Sequence, residues 1–148
     1  MITLLKRTKL SMLASIALAV VVAAGCTTSM GMKQGANVYL DGKNEVPPVN
    51  TAAKGSGTIV VLSDKSVSGS VTTSGVEGKA AHIHEGAPGV NGPVSVGLTK
   101  TADNTWSVPA GARLTDAQYA SYLAGNLYVN VHSAANPGGE IRGQLAAK

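Results

Sequence analysis

The sequence predicts an all-β fold, an antiparallel Greek-key sandwich or barrel that carries one short helix. The first observation is an alternation of apolar and polar residues with a period of two, which dominates from Asn37 onward. The second is the frequency of Gly, Pro, Asn and Asp between the alternating runs, which is typical of short strands joined by tight turns. The third is a core without Phe, built from Val, Ile, Leu and Ala with four Tyr and one Trp.

Eight strands and one helix follow from these patterns in chain order. The helix is predicted over about residues 115–124, because Thr115 is a good N-cap, Asp116 suits the first turn and Gly125 supplies a stop. The strands alternate and end at turn residues: 37–40, 57–62, 66–73, 79–84, 94–98, 105–108, 127–132 and 140–146.

Residues 1–25 are typical of a signal peptide. A basic start precedes an apolar run that is shorter than the roughly 20 residues of a membrane span. The small residues before Cys26 resemble the lipobox of bacterial lipoproteins, which implies cleavage before Cys26 and lipidation of its thiol. We therefore expect an exported protein that is lipid-anchored to a bacterial membrane. The expected membrane is the outer membrane, with the protein facing the periplasm or the cell surface. The alternative is cleavage near Ala24, which would leave Cys26 as a free thiol.

The rest of the chain divides into a lipidated, flexible tether at 26–36 and a β-domain at 37–148. The basic residues of the leader account for most of the net charge of +4, and the remainder has nine Lys/Arg against eight Asp/Glu. This balance gives no reason to expect a nucleic-acid partner. Because Cys26 is the single cysteine, no intramolecular disulfide supports the domain.

All three histidines of the chain fall on two predicted strands. His82 and His84 are two residues apart, so they point to the same face of a strand, and His132 shares a face with Tyr128 and Asn130. If the two strands are neighbours, the imidazoles converge, and a three-histidine set suits copper or zinc with one coordination position left open. The alternative is a structural polar cluster in which each imidazole bonds to a neighbouring carboxylate or loop.

The sequence contains no complete catalytic set, since it lacks a recognisable nucleophile elbow, phosphate loop or carboxylate pair. We therefore expect a protein that is not an enzyme. Glu140 and Arg142 flank Ile141 and are predicted to share a solvent-side face, either as a surface ion pair or as part of a surface that contacts a ligand.

Three separated stretches, residues 40–49, 82–94 and 114–144, resemble the motifs of the CHRD (chordin-type) domain family in the same order. They include His82-Ile83-His84-Glu85-Gly86 and Asn136-Pro137-Gly138-Gly139-Glu140. The resemblance implies an extracytoplasmic β-domain, and it favours a non-enzymatic binding or interaction module whose protein or small-ligand partner is unknown.

A weaker resemblance is to the β-barrel of copper-zinc superoxide dismutase, in which an H-x-H strand and a later histidine bind copper. By that resemblance His82, His84 and His132 match three copper ligands, while the bridging histidine and the disulfide cysteines of the dismutase have no counterpart. The second hypothesis is therefore a periplasmic protein that binds copper or zinc, and the third is a dismutase-like redox enzyme.

Overall fold

A computed structural model describes residues 35–147 of the chain. The strands in this range are β1 (Ala36–Asp41), β2 (Lys54–Val61), β3 (Val67–Ser74), β4 (Gly78–Glu85), β5 (Val94–Gly97), β6 (Thr99–Ala102), β7 (Thr105–Ser107), β8 (Leu127–Ser133) and β9 (Ile141–Leu145). Helix α1 covers Asp116–Leu123, and a 3-10 turn covers Gly42–Asn44.

The strands form one antiparallel sheet in the order β5-β4-β8-β9-β1-β2-β3-β7-β6. The two edge strands of this order, β5 and β6, are separated along the chain by Leu98 alone. Because one extended residue spans only about 3.5 Å, the end of β5 and the start of β6 must lie close together. The sheet therefore curls into a nearly closed barrel, and the predicted all-β fold with one helix is confirmed.

The predicted elements differ from the observed ones mainly at β6. Its four residues are all exposed, so it carries no alternation from which a strand could be predicted. Helix α1 begins as predicted: the Thr115 hydroxyl accepts from the Gln118 N–H, and the Gln118 side chain accepts from the Thr115 N–H. Gly125 follows the helix with φ +75°, the left-handed conformation that ends helices.

The inner face of the sheet packs into an apolar core. Alternate residues of the strands point inward, as with Val38 and Leu40 of β1 and Val129 and Val131 of β8, all of them buried. Trp106 of β7 also belongs to this core. Burial of these side chains is the main term that stabilises the barrel.

The outer face of β4, β8 and β9 is covered by loops and holds a second, polar layer. We call it the outer polar layer, and it consists of His82, His84, Tyr128, Asn130, His132, Arg142 and Gln144. Three loops lie over it, at residues 42–52, 86–93 and 134–139. Each is bonded to the layer, for example through Asn44 Nδ2–H to the Arg142 carbonyl (3.1 Å) and through Gln144 Nε2–H to the Gly86 carbonyl (2.8 Å).

The signal peptide, the Cys26 anchor and most of the predicted tether lie outside the described residues, and these assignments remain predictions. Among residues 35–147, no helix has the length and apolar character needed to cross a membrane.

Candidate metal site

The register of three neighbouring strands brings the histidines together. In the antiparallel pairs, His82 of β4 lies opposite Asn130 of β8, and Asn130 lies opposite Arg142 of β9. His84 lies opposite Tyr128 in the next row of the same face. His132 lies opposite a small residue, Ala80, which leaves room for the imidazole to lean towards His82.

The three imidazoles converge, as expected for the case in which β4 and β8 are neighbours. One ligand nitrogen from each ring lies within 4.8 Å of the others. The ring centroids are 4.8 Å apart for His82 and His132, 5.4 Å for His82 and His84, and 5.8 Å for His84 and His132. The shortest contact, 2.9 Å, joins Nδ1 of His82 to Nε2 of His132.

Backbone carbonyls fix the tautomers of two of these rings. Nδ1–H of His84 donates to the carbonyl of Gly92 (3.0 Å), and Nδ1–H of His132 donates to the carbonyl of Pro137 (2.9 Å). A neutral imidazole carries one N–H, so the Nε2 atom of each ring keeps its lone pair. Nε2 of His84 is buried and has no hydrogen-bond partner among the described residues. Metal-binding histidines show the same arrangement, with the second ring nitrogen donating to a carbonyl.

The surroundings of the cluster favour the neutral form of His82 and His84. Burial lowers the pKa of His82, and the neighbouring His132 and His84 lower it further. Burial also lowers the pKa of His84, where the bond to Gly92 opposes the shift and the charges of His132 and Arg142 add to it. A neutral ring is the form that binds a metal ion.

Tyr128 and Arg142 form a stack against one face of the His84 ring. The Tyr128 ring stacks on the His84 imidazole, with centroids 5.0 Å apart and planes 7° from parallel. The guanidinium carbon of Arg142 lies 3.4 Å from the centroid of the Tyr128 ring, which is a cation–π contact. Tyr128 Oη accepts from the Gly92 N–H (3.2 Å), so the residue that bonds His84 is itself held by Tyr128.

Arg142 also fastens the 86–93 loop over the layer. Its guanidinium donates to the carbonyls of Ala87 (3.0 Å) and Val90 (2.9 Å) and to Oδ1 of Asn91 (3.2 Å). Asn91 in turn donates from Nδ2 to the carbonyl of Val46 (2.7 Å), which ties this loop to the 42–52 loop.

Glu45 is a buried carboxyl in the cover of the same layer. Its Oε1 accepts from Nδ2 of Asn130 at 2.7 Å, and the residue is 4% exposed. Burial raises the pKa of Glu45 to about 7, although the charge of Arg142 acts in the opposite direction. The carboxyl therefore changes its charge near neutral pH.

The sequence matches the model of the CHRD domain over residues 36–145. The chain belongs to the CHRD domain family. A CHRD domain suggests a binding or interaction module, and the match spans the nine strands and the helix that the structure describes. No curated protein and no solved structure matches the chain, so the weaker resemblance to the dismutase gains no support from known structures.

The placement of Glu140 and Arg142 in this CHRD domain corrects the prediction of an exposed face. Arg142 is 1% exposed and Glu140 is 8% exposed. Arg142 bonds to the 86–93 loop, and Glu140 Oε1 accepts from the Thr51 hydroxyl (2.9 Å). Alternation placed Arg142 on the outer face correctly, but the prediction was wrong about exposure because the loops cover that face.

Sequence reasoning missed Glu45 as a residue of the site, and it named Arg142 only as a surface residue. Glu45 lies in a loop where no periodicity indicates which way a side chain points. A signal for Arg142 was available in the large polar side chains of β8, because Tyr128 and Asn130 were expected to share the outer face with His132. A row of large polar residues on adjacent strands is a better indication of a covered layer than of a solvent face.

Proposed function

We propose that this CHRD protein is a non-enzymatic binding module that is anchored through Cys26 and acts outside the cytoplasm. Its ligand is a copper or zinc ion held by His82, His84 and His132. The observation that carries this proposal is the convergence of the three imidazoles with their ligand nitrogens within 4.8 Å of one another.

The nitrogen distances fit an ion after an adjustment, because ligand nitrogens that lie as far as 4.8 Å apart must approach by up to about 1.5 Å. A metal ion about 2.0 Å from each of two nitrogens in tetrahedral geometry holds those nitrogens about 3.3 Å apart. His82 Nδ1 and His132 Nε2 are already 2.9 Å apart. They need to separate by a few tenths of an ångström, with the proton of the His82 ring moved to its other nitrogen. The bonds of His84 and His132 to backbone carbonyls hold those two rings in place.

The donor set differs from that of the dismutase. Three neutral imidazoles suit copper or zinc and leave one coordination position open. The chain has three histidines and all of them belong to this site, so no fourth histidine can bridge a second metal as in the dismutase. We therefore do not extend the proposal to a redox activity.

The proposal is tested by titrating the full chain in detergent with Zn(II) and with Cu(I), against competing chelators. The Cys26→Ser background removes the thiol as a competing ligand. We expect one ion per chain, and an affinity that falls by about 100-fold or more in the His82→Ala/His84→Ala/His132→Ala variant, because the ion loses its nitrogen ligands.

A matched triple variant controls for the loss of three polar side chains from a strand face. Ser56→Ala/Thr58→Ala/Thr72→Ala alters exposed positions of β2 and β3 and should bind as the parent does. Equal binding by the parent and the histidine variant would reject the metal site. The CHRD assignment would then point to a protein or small-ligand partner instead.

A further inference from the structure

Arg142 is a buried cation next to the proposed metal site. Its guanidinium packs on Tyr128, which stacks on His84, one of the three proposed metal ligands. One aromatic ring therefore separates the positive charge from the His84 imidazole. The guanidinium is charged at every physiological pH. With 1% of the residue exposed, little water is present to screen it.

The contacts of Arg142 leave most of its charge uncompensated. Its hydrogen bonds go to two carbonyls and an amide oxygen, which are neutral acceptors. The charge of Arg142 acts on Glu45, but burial raises the pKa of this carboxyl to about 7. At neutral pH the carboxyl is therefore only partly ionised and offsets the positive charge only in part. Oε1 of Glu45 accepts from Asn130.

The metal ligands supply no negative charge either. In the described part of the chain, the group that can hold an ion consists of three histidines, with no carboxylate or thiolate among them. A bound ion therefore keeps its full charge beside the guanidinium. Each additional unit of charge on the ion increases the repulsion from Arg142.

We infer that Arg142 sets the charge preference of this site, favouring the singly charged Cu(I) over the doubly charged Zn(II) and Cu(II). The inference rests on the proposed function and adds the class of ion to it. A unit charge within about 10 Å, at an effective dielectric constant of about 20, changes the binding of each further unit of charge by about tenfold.

The experiment measures affinities for Cu(I), under anaerobic conditions, and for Zn(II) in the full chain with Cys26→Ser. Arg142→Met removes the charge, and the ratio of Cu(I) to Zn(II) affinity should fall by about tenfold. The reduction potential of bound copper should fall correspondingly, by about 59 mV for a tenfold change. Arg142→Lys retains the charge and should keep most of the ratio, even though lysine cannot form the same three bonds.

A second variant tests the charge without removing the arginine. Asn91 accepts from Arg142 through Oδ1, and Asn91→Asp keeps that acceptor while placing a carboxylate against the guanidinium, at the cost of the Nδ2 bond to the Val46 carbonyl. We expect the ratio to fall in Asn91→Asp by a smaller factor than in Arg142→Met. If Arg142→Met does not fold, Asn91→Asp decides the matter.

The outcomes separate this inference from the proposed function. An unchanged ratio in both Arg142→Met and Asn91→Asp overturns the inference, and so does an equal fall in Arg142→Lys and Arg142→Met, because the charge would then not be the cause. Binding that is the same in the parent and the triple histidine variant rejects the metal site itself.

Discussion

The two halves of the barrel wall follow the same alternation, yet their outer faces are built differently. On β2 and β3 most outward side chains are small and exposed, such as Ser56, Thr58 and Thr72. On β4, β8 and β9 they are large and polar, and most are buried beneath three loops. We call these the open half and the covered half.

The difference shows what it takes to bury polar side chains. A buried polar group is costly unless it is hydrogen-bonded, and in the covered half the loops provide acceptors at Ala87, Val90, Gly92 and Pro137. The open half needs no such partners because water supplies them. The covered half therefore has the restricted environment that a metal site requires, whereas the open half presents solvated side chains, some of which line a cavity together with Tyr39 and Asp41 of β1.

The largest expected difference between the halves comes from removing a cation from each. Arg142→Met takes three hydrogen bonds and a cation–π contact from the covered half, and we expect the free energy of unfolding to fall by about 3 kcal/mol. Lys54→Met removes an exposed ion pair with Asp41 (3.0 Å) in the open half, with an expected effect of about 0.5 kcal/mol or less. Urea unfolding measures the change in the free energy of unfolding for both variants, and equal changes would contradict the difference between the two halves.

The pH dependence of stability should come from the covered half. An unfolded glutamate ionises near its ordinary pKa of 4.5, but Glu45 ionises at about 7 in the folded protein. Between these values the folded state holds more protons, so this contribution to stability is full below pH 4.5 and is lost as the pH rises through about 7. Glu45→Gln should raise the free energy of unfolding by about 2 to 3 kcal/mol at pH 8 and leave it nearly unchanged at pH 4.

Two comparisons sharpen this prediction. The pKa values of His82 and His84 are lowered, so their contribution to stability is present above their ordinary pKa of 6.5 and is lost as the pH falls. Glu45→Gln should leave that loss of stability unchanged. Glu77→Gln replaces an exposed carboxylate, and we expect it to give no such increase in the free energy of unfolding at pH 8. Parallel stability curves for the wild type and Glu45→Gln from pH 4 to 9 would contradict the assignment.

The smallest expected effect comes from a pair of tyrosines. Tyr128→Phe keeps the stacking in the covered half but leaves the Gly92 N–H without its acceptor, at a cost of about 1 kcal/mol. Tyr39→Phe alters a side chain of β1 that is 71% exposed, and its expected effect is within about 0.5 kcal/mol. Chemical denaturation resolves the two, and a larger loss in Tyr39→Phe would reverse the comparison.

Much of the fold could be predicted from local pattern. The period of two located eight of the nine strands in the described range, and the Thr115 cap with Gly125 located the helix. Strand β6 was missed because an exposed edge strand needs no apolar residues. The spacing of His82 and His84 placed both rings on one face, and alternation in β8 placed His132 on the outer face.

The sequence by itself determined which side chains point out of each strand, because the direction of a side chain in a strand is a local property. Only the tertiary structure decided that β4, β8 and β9 are neighbours, which brings His82, His84 and His132 together. It also decided that loops cover this face, which turned Arg142 and Glu140 from predicted surface residues into buried ones. Strand order and loop position depend on contacts between residues far apart in the chain, and no local periodicity encodes them.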